Sequence, residues 1–550
     1  DVGVTADGPL GKKTTFLVSA RRSYLQFLFE ALGLPFLPTY TDFNAKVKHK
    51  IDNKNEIYFL GLGAIDDFVL NQEANDTESK QYILDRLPIN TQWNYTNGIA
   101  YKHYGTNGYT AFILSRNMLN NEAIKYKNND ASTEDNLILN YKSQEIENKL
   151  RVEQVSSYNH IEYAYGVTAE YVKYNNTTYN KIFTSAGPAT IDYNSELNFL
   201  KYGAFITVSK NWWNSKLKSS LGIRMDGNSS TSSMKNPLRQ TSPRLSLSLD
   251  IANNWAINFN TGYYFQLPPY TCLGYNEQGN FVNLSSGIRY IGAFHLVTGI
   301  EYKYNEYGRI TLEGYAKMYD HYPILEREGI SLANLGGDFG VIGNESVTSK
   351  GKGRTYGIEL MAQQKLYKNY YGIMAYTFGQ SEFTNSDGTY APSSWDARHI
   401  LTATLGKRFS KNWEMAVKYR YQSGLPGTPY DQNSDLVINW DRNASGILDY
   451  ARINTLRYQG GGFLDMRIDK KWFFKKWDLN LYFDVQNVLG TSISRQTLVL
   501  DRPLDEDGKP IGAGVITNPN AQVSEQRYAL KSIEDGVGTV LPTIGIVVSL

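Results

Sequence analysis

Asp42 to Ile51 reads DFNAKVKHKI, and this stretch decides the fold. Phe43, Ala45, Val47, His49 and Ile51 fall on one parity; Asp42, Asn44, Lys46, Lys48 and Lys50 fall on the other. A β-strand points successive side chains to opposite faces, so this segment has one apolar face and one strongly polar face. The same signature recurs along the chain. Phe16, Val18 and Ala20 alternate with Ser19 and Arg21, and Ile310, Leu312, Gly314 and Ala316 with Thr311, Glu313, Tyr315 and Lys317. Tyr356, Ile358, Leu360 and Ala362 alternate with Gly357, Glu359 and Gln363. Leu479, Leu481, Phe483 and Val485 alternate with Asp478, Asn480, Tyr482, Asp484 and Gln486. About twenty segments of roughly ten residues in series, with almost no helical stretch between, describe a closed transmembrane β-barrel with lipid outside and water inside. The expected structure is almost entirely antiparallel β, with the whole of residues 1–550 as one barrel domain.

The bulk composition agrees. The chain has 550 residues with 42 Tyr and 9 Trp, yet its mean hydropathy is −0.43. No run of 18 apolar residues exists, so no helix is expected to cross a membrane; the longest candidate, Tyr24 to Pro38, is broken by Glu30, Gly33 and Pro35. A net charge of +2 gives no reason to expect nucleic acid as a partner. The single cysteine, Cys272, excludes an internal disulfide. The opening residues DVGVTADGPL have no signal-peptide character, and an exported barrel needs one, so the chain is expected to begin inside a longer precursor.

Connections fall into two classes. Short turns lie near Leu10–Lys12, Asn53–Asn55, Gly105–Gly108, Ser157–His160, Asn211–Ser215, Ala252–Asn254, Asn305–Gly308, Tyr367–Asn369, Ser410–Asn412 and Phe473–Lys475. Longer irregular stretches lie between them, among them Asp66–Arg86, Pro268–Ile288, Thr428–Asn454 and Gly490–Gly536. Bacterial barrels place short turns in the periplasm and long loops outside, which predicts a Gram-negative outer-membrane protein with a periplasmic C-terminus. Trp212, Trp213, Trp255, Trp413, Trp472 and Trp477 all flank short turns. They read as an interfacial girdle, or as residues packing hairpin ends. Ten turns give about twenty strands, and Leu541 to Leu550 adds one, about 21 in this chain; bacterial barrels are even-numbered. Val2 to Asp7 runs down into a short turn, so an ascending first strand is expected before Asp1, for about 22 strands in the complete barrel. If the barrel instead closed at Asp1, Val2–Asp7 would have to pair in parallel with Thr543–Leu550.

Three blocks resemble a known family: SARRSYLQFLFEALGLPFLPTYTDF from Ser19, SSWDARHILTATLGKRFSKNWEMAVKYRYQSGLPGTPYD from Ser393, and LDMRIDKKWFFKKWDLNLYFDVQNV from Leu464. They are similar to the TonB-dependent outer-membrane receptors, most of all the branch with a small carboxypeptidase-regulatory-like domain before the plug. The resemblance implies a 22-stranded barrel, an N-terminal plug within it, and coupling to TonB through a TonB box. None of these preceding elements is visible in the sequence, and the final Leu550 departs from the aromatic residue with which family members commonly end. The function so implied is import of a ligand too large for porins. The alternative is a plug-poor barrel serving as a structural partner subunit of an outer-membrane complex. Implied partners are the lipid bilayer, TonB, and a surface lipoprotein or other outer-membrane subunits.

No acid–base or nucleophile set is legible, so an enzyme is not expected. The histidines at 49, 103, 160, 295, 321 and 399 are scattered; His49 and His295 read as interface or packed residues on apolar parities. No cofactor is expected. Asp431, Asn433 and Asp435 imitate a calcium loop, but Leu436 and Arg442 occupy its Gly and Glu positions. LDEDG at Leu504–Gly508 is a second acidic turn; a structural loop calcium is the only ion these stretches suggest. The candidate lumen-lining residues are Arg21, Glu313, Lys317, Glu359, Lys418, Arg420, Asp465, Arg467, Asp469 and Asp484, either a wall for a plug or polar substrate, or a cross-strand charge ladder. The ladder is the preferred reading for Asp465, Arg467 and Asp469. Candidate extracellular binding aromatics are Tyr264, Tyr270, Tyr275, Tyr430 and Trp440, with Tyr290, Tyr319, Tyr322 and Trp395 beside them. They suit stacking on a sugar, peptide or siderophore, an outer girdle, or docking of a lid lipoprotein.

Overall fold

The computed structural model describes residues 1–184, 187–336, 343–443, 445–493, 495–506, 511–534, 536 and 538–550. One 22-stranded sheet organises them, and its pairings are antiparallel. One member, Tyr390–Pro392, is three residues long and pairs only with the end of Tyr370–Thr384. The remaining 21 are the barrel strands, from Val2–Leu10 to Leu541–Ser549. Among the described residues helices occur only in connections, and the longest, Glu78–Arg86, has nine residues.

Ten connections of two to four residues gather at one rim, where the turn signals in the sequence fall. Asn159 and His160, and Lys368 and Asn369, are two-residue turns with positive φ at both positions. That backbone matches the right-handed twist of the flanking strands, and Asn tolerates it. The opposite rim carries the longer connections, with one exception. Ile161–Thr184 runs almost directly into Gly187–Trp212.

Strand length is the main departure from expectation. The barrel strands have 9 to 26 residues rather than a uniform ten. Asp66, expected to open a loop, lies inside Asn55–Leu70. The reason is visible on the outward-facing parity of the longest strands. Phe112 and Leu114 are followed by Arg116, Met118, Asn120 and Glu122 on Gly108–Tyr126. On Leu137–Tyr158, Val152 and Leu150 give way to Asn148, Ile146, Gln144 and Lys142. The apolar band stops while the backbone ladder continues, because hydrogen bonding needs no apolar side chain. An apolar band is about 25 Å tall, so strands of this length project well beyond it.

Register carries one apolar face around the sheet. Leu481 lies opposite Ile546, Phe483 opposite Ile544 and Ile468, Leu405 opposite Val417, Leu312 opposite Leu360, and Phe59 opposite Val47 and Ile99. Residues directly opposite share a face, so the alternation read from single strands is one continuous surface. At the short-turn rim its lysines lie over aromatic rings: Lys210 over Trp212 at 3.9 Å, Lys407 over Tyr370 at 4.5 Å, Lys470 over Trp413 at 5.3 Å. Trp and Lys at an apolar boundary are the chemistry of a membrane interface.

Val2–Leu10 pairs along one edge with Thr14–Arg22, and Leu541–Ser549 along one edge with Asp478–Gln486. Among the described residues no ladder joins Val2–Leu10 to Leu541–Ser549, so the parallel junction considered from the sequence is not formed.

Candidate functional site

The face opposite the apolar one is polar. Arg467 holds Asp469 by two bonds, Nε to Oδ2 and Nη2 to Oδ1, both 2.8 Å. Asn480 donates to Asp469 Oδ1 at 3.0 Å, and the Arg467 guanidinium lies 3.9 Å from the Tyr482 ring centre. Lys418 stands 3.6 Å from Asp465, whose other oxygen accepts the Asn487 N–H at 3.0 Å. Arg420 lies over Phe463 at 5.3 Å. Arg21 pairs with Asp42 at 2.8 Å. Asp484 is opposite Arg467. Glu313 and Glu359 face each other directly; like charges so placed repel, and neither forms an ion pair among the described residues. Lys317 is opposite His295 and Thr355. All ten charged candidates from the sequence therefore occupy this one face. Lys418 is half exposed, and an exposed pair contributes at most about 1 kcal/mol; Lys418→Met should leave the heat-modifiability transition of the purified barrel nearly unchanged.

His295 is a correction. Register puts it on this polar face opposite Gly262 and Lys317, its ring 4.6 Å from that of Tyr264. Apolar neighbours on its own parity, Ala293 and Val297, disguised the face. His49 stays on the apolar face, bonded to Thr14 Oγ1 at 2.8 Å.

Towards the long-loop rim the polar face becomes a buried wall. On Gly187–Trp212, Ile191, Tyr193, Ser195, Leu197 and Phe199 are buried while their even-numbered neighbours are exposed. Val172, Tyr174, Leu197 and Phe199 form a core with Met234, with Cys272, Leu273, Ile288 and Tyr290 of the 267–290 connection, and with Leu325, Leu332 and Val347. Segments from far around the sheet meet here, so the polar face is the inner one and these connections fold into the mouth.

A charged network anchors them. Glu147 accepts from Tyr270 Oη, from Asn117 Nδ2 at 2.8 Å, and pairs with Lys149 at 2.7 Å and Lys201 at 3.2 Å. Lys201 also pairs with Glu170 and donates to Tyr270 Oη at 3.0 Å. The sequence reading missed Glu147, Lys149, Glu170 and Lys201. Their signal was parity on strands longer than the reading allowed.

The aromatic candidates divide. Tyr264 lies in Trp255–Gln266, with Arg244 4.6 Å over its ring. Tyr270 contacts Tyr174 and Phe199, and Tyr275 packs edge-on against Tyr193 and donates to Glu277 at 2.8 Å. Tyr430 is half-buried, its backbone bridged to Leu448. Trp440 and Tyr290 are buried core residues, and Tyr319 and Tyr322 sit in Gly308–Leu325. Tyr290 is buried in the core of the mouth with Tyr270 packed against it, and Trp440 is buried as well. Trp395 remains exposed.

Cys272 is fully buried, which pushes its thiol up to about 12, out of reach of nucleophilic chemistry near neutrality. Lys125 Nζ donates to Leu84 O and Asn129 Oδ1, both at 2.6 Å. Of the calcium-like loop, Asp435 is held by Arg527 and Asp431 Oδ1 accepts the Asn433 N–H at 2.8 Å. The LDEDG turn lies partly outside the described residues.

The family described as TonB dependent receptor-like, beta-barrel, has a model that matches residues 19–488. No curated protein matches the sequence. Among solved structures, the chain is similar to the ferripyoverdine receptor of the outer membrane of Pseudomonas aeruginosa bound to ferripyoverdine. There the identity is 10% and the TM-score 0.64, with 90% of this chain and 66% of that one covered. The ferric-catecholate import receptor Fiu from E. coli K12 gives 10% identity and a TM-score of 0.62, covering 99% of this chain and 78% of that one. The copper transporter OprC gives 13% and 0.61, covering 87% and 72%. The chain thus spans about two thirds to three quarters of the length of these proteins.

Proposed function

We propose, because this chain belongs to the TonB-dependent receptor-like β-barrel family, that it is the barrel of an outer-membrane receptor importing a ligand too large for porins. The observation that carries the reading is the mouth. Long strands raise a wall whose inner face is covered by inward-folded connections and pinned by Tyr270 to Glu147 and Lys201. A porin-like channel needs no such construction; a receptor that must hold a ligand before passing it does. The ten inner-face charges are then the lumen wall, and the half-buried aromatics with Trp395 the surroundings of the ligand entry. Short turns and the C-terminus would face the periplasm and long connections the exterior.

In this reading a plug fills the lumen and couples to TonB, and a further strand satisfies the open edges of Val2–Leu10 and Leu541–Ser549. Unpaired backbone groups in hydrocarbon cost several kcal/mol each, which supports such a strand. The test is made in the native host. Deleting the gene should abolish growth on at least one of a panel of ferric chelates, peptides or oligosaccharides as limiting nutrient. Re-expression should restore it only while TonB is energised. Unimpaired growth across the panel, with the purified barrel held in a stable complex and an intact mass showing no plug, would overturn the importer and favour the partner-subunit reading.

A further inference from the structure

Two arginines on the apolar face have no carboxylate partner among the described residues. Arg22 donates from Nη1 to Thr41 Oγ1 at 3.1 Å. Arg116 donates from Nε to Tyr95 Oη and from Nη1 to Asn148 Oδ1, both at 2.9 Å. Both side chains are exposed, and every partner is neutral, so the charges are uncompensated. Register places Arg22 opposite Val2 and Thr41, and Arg116 opposite Asn97 and Asn148, all on the outward face.

Their depth is the same. Each lies eight residues beyond the first residue of its strand, Thr14 or Gly108. At about 3.4 Å per residue and a tilt of about 40°, that is roughly 20 Å above the short-turn rim, near the far margin of a band about 25 Å tall. A guanidinium costs little there, in contrast to the midplane.

Between them the outward surface is hollow. A groove of about 530 Å³ is floored by Ala20, Ala45 and Gly61, walled by Phe43 and Phe59, and bounded by Asn97 beside Arg116. It crosses five neighbouring strands, about 20 Å at a strand spacing near 4.8 Å. That width takes several hydrocarbon chains side by side. Apolar floor, membrane depth and uncompensated positive charge at the headgroup level together specify what covers it.

We propose that this groove is a binding site for an anionic lipid with several acyl chains, its chains lying on the Ala20–Ala45–Gly61 floor and its phosphate groups held by Arg22 and Arg116. Arginine suits the task because its planar donors pair with phosphate oxygens. The site needs the barrel to stand in a membrane but makes no use of the import reading.

The test is native mass spectrometry of the purified full-length protein, delipidated and offered bis-phosphorylated hexa-acyl lipid A, phosphatidylglycerol or phosphatidylcholine at equal concentration. Lipid A should be retained most and phosphatidylcholine least. Arg22→Gln and Arg116→Gln should each weaken lipid A retention about fivefold, the usual effect of one basic residue at a membrane surface. Phosphatidylcholine retention should not change. Ala20→Leu, which fills the floor while leaving both arginines, should also lower lipid A retention; heat-modifiability confirms that each variant is assembled. Equal retention of all three lipids, wild-type selectivity in both arginine variants, or a second copy of the chain occupying the face in place of lipid would each overturn the proposal.

Discussion

Leu481→Arg is expected to cost the assembled barrel about 1–2 kcal/mol, less than the roughly 2–4 kcal/mol of a cationic side chain at the bilayer midplane because the position lies on the short-turn side of it. Leu481 lies in Asp478–Gln486, opposite Ile546 on one side and Lys470 on the other, with Phe483 and Ile544 one step further along the same face. It stands only three residues beyond the first residue of its strand, and its neighbour strand is the last of the sheet, with one paired edge. An arginine there would stand directly opposite Lys470, and like charges so placed repel; destabilising this strand loosens the end of the ladder. Folding into bilayers, read by the heat-modifiability shift, should fall measurably. Asp484→Asn is the matched control: it lies on the opposite face, where the Arg467–Asp469 pair persists without it. Equal assembly of the two variants would contradict the face assignment.

Tyr270→Ala should open the mouth without dissolving the barrel. The ring contributes to the core with Tyr174 and Phe199, and its hydroxyl joins the bond network of Glu147 and Lys201. Removing a buried aromatic costs about 3–5 kcal/mol; Tyr270 is only partly buried, so about 2–4 kcal/mol is expected. Tyr270→Phe keeps the ring and loses the charge-assisted bond, about 1.5–3 kcal/mol. Amide exchange and limited proteolysis across 267–290 should accelerate in the order alanine, phenylalanine, wild type, while the heat-modifiability transition stays in place. An unchanged exchange pattern in the alanine variant would show that the segment is held elsewhere.

The two predictions draw on different parts of what the sequence discloses. The face of Leu481 was legible from Asp478 to Gln486 alone, because strand parity is a local property: a side chain two residues away must point the same way. The turns were legible for the same reason, since Asn159, Asn254 and Asn369 announce a positive φ within two residues. The position of His295 was not legible, because apolar residues stood on both parities of its strand.

By itself, then, the sequence determined the all-β barrel, its count of about 21 strands, the ten tight turns and which parity meets lipid. Periodicity and turn chemistry act over a few residues and need no tertiary partner. Only the tertiary structure decided how far the strands rise beyond the band, since a backbone ladder can continue after the apolar pattern ends. It alone placed Tyr270 against Glu147, 123 residues apart, and turned the expected stretch of open aromatics into a packed mouth. It alone set Arg22 and Arg116 at one depth beside a groove drawn from five strands. Those arrangements depend on register between segments distant in the chain, and register is fixed by the sum of all the pairings rather than by any one of them.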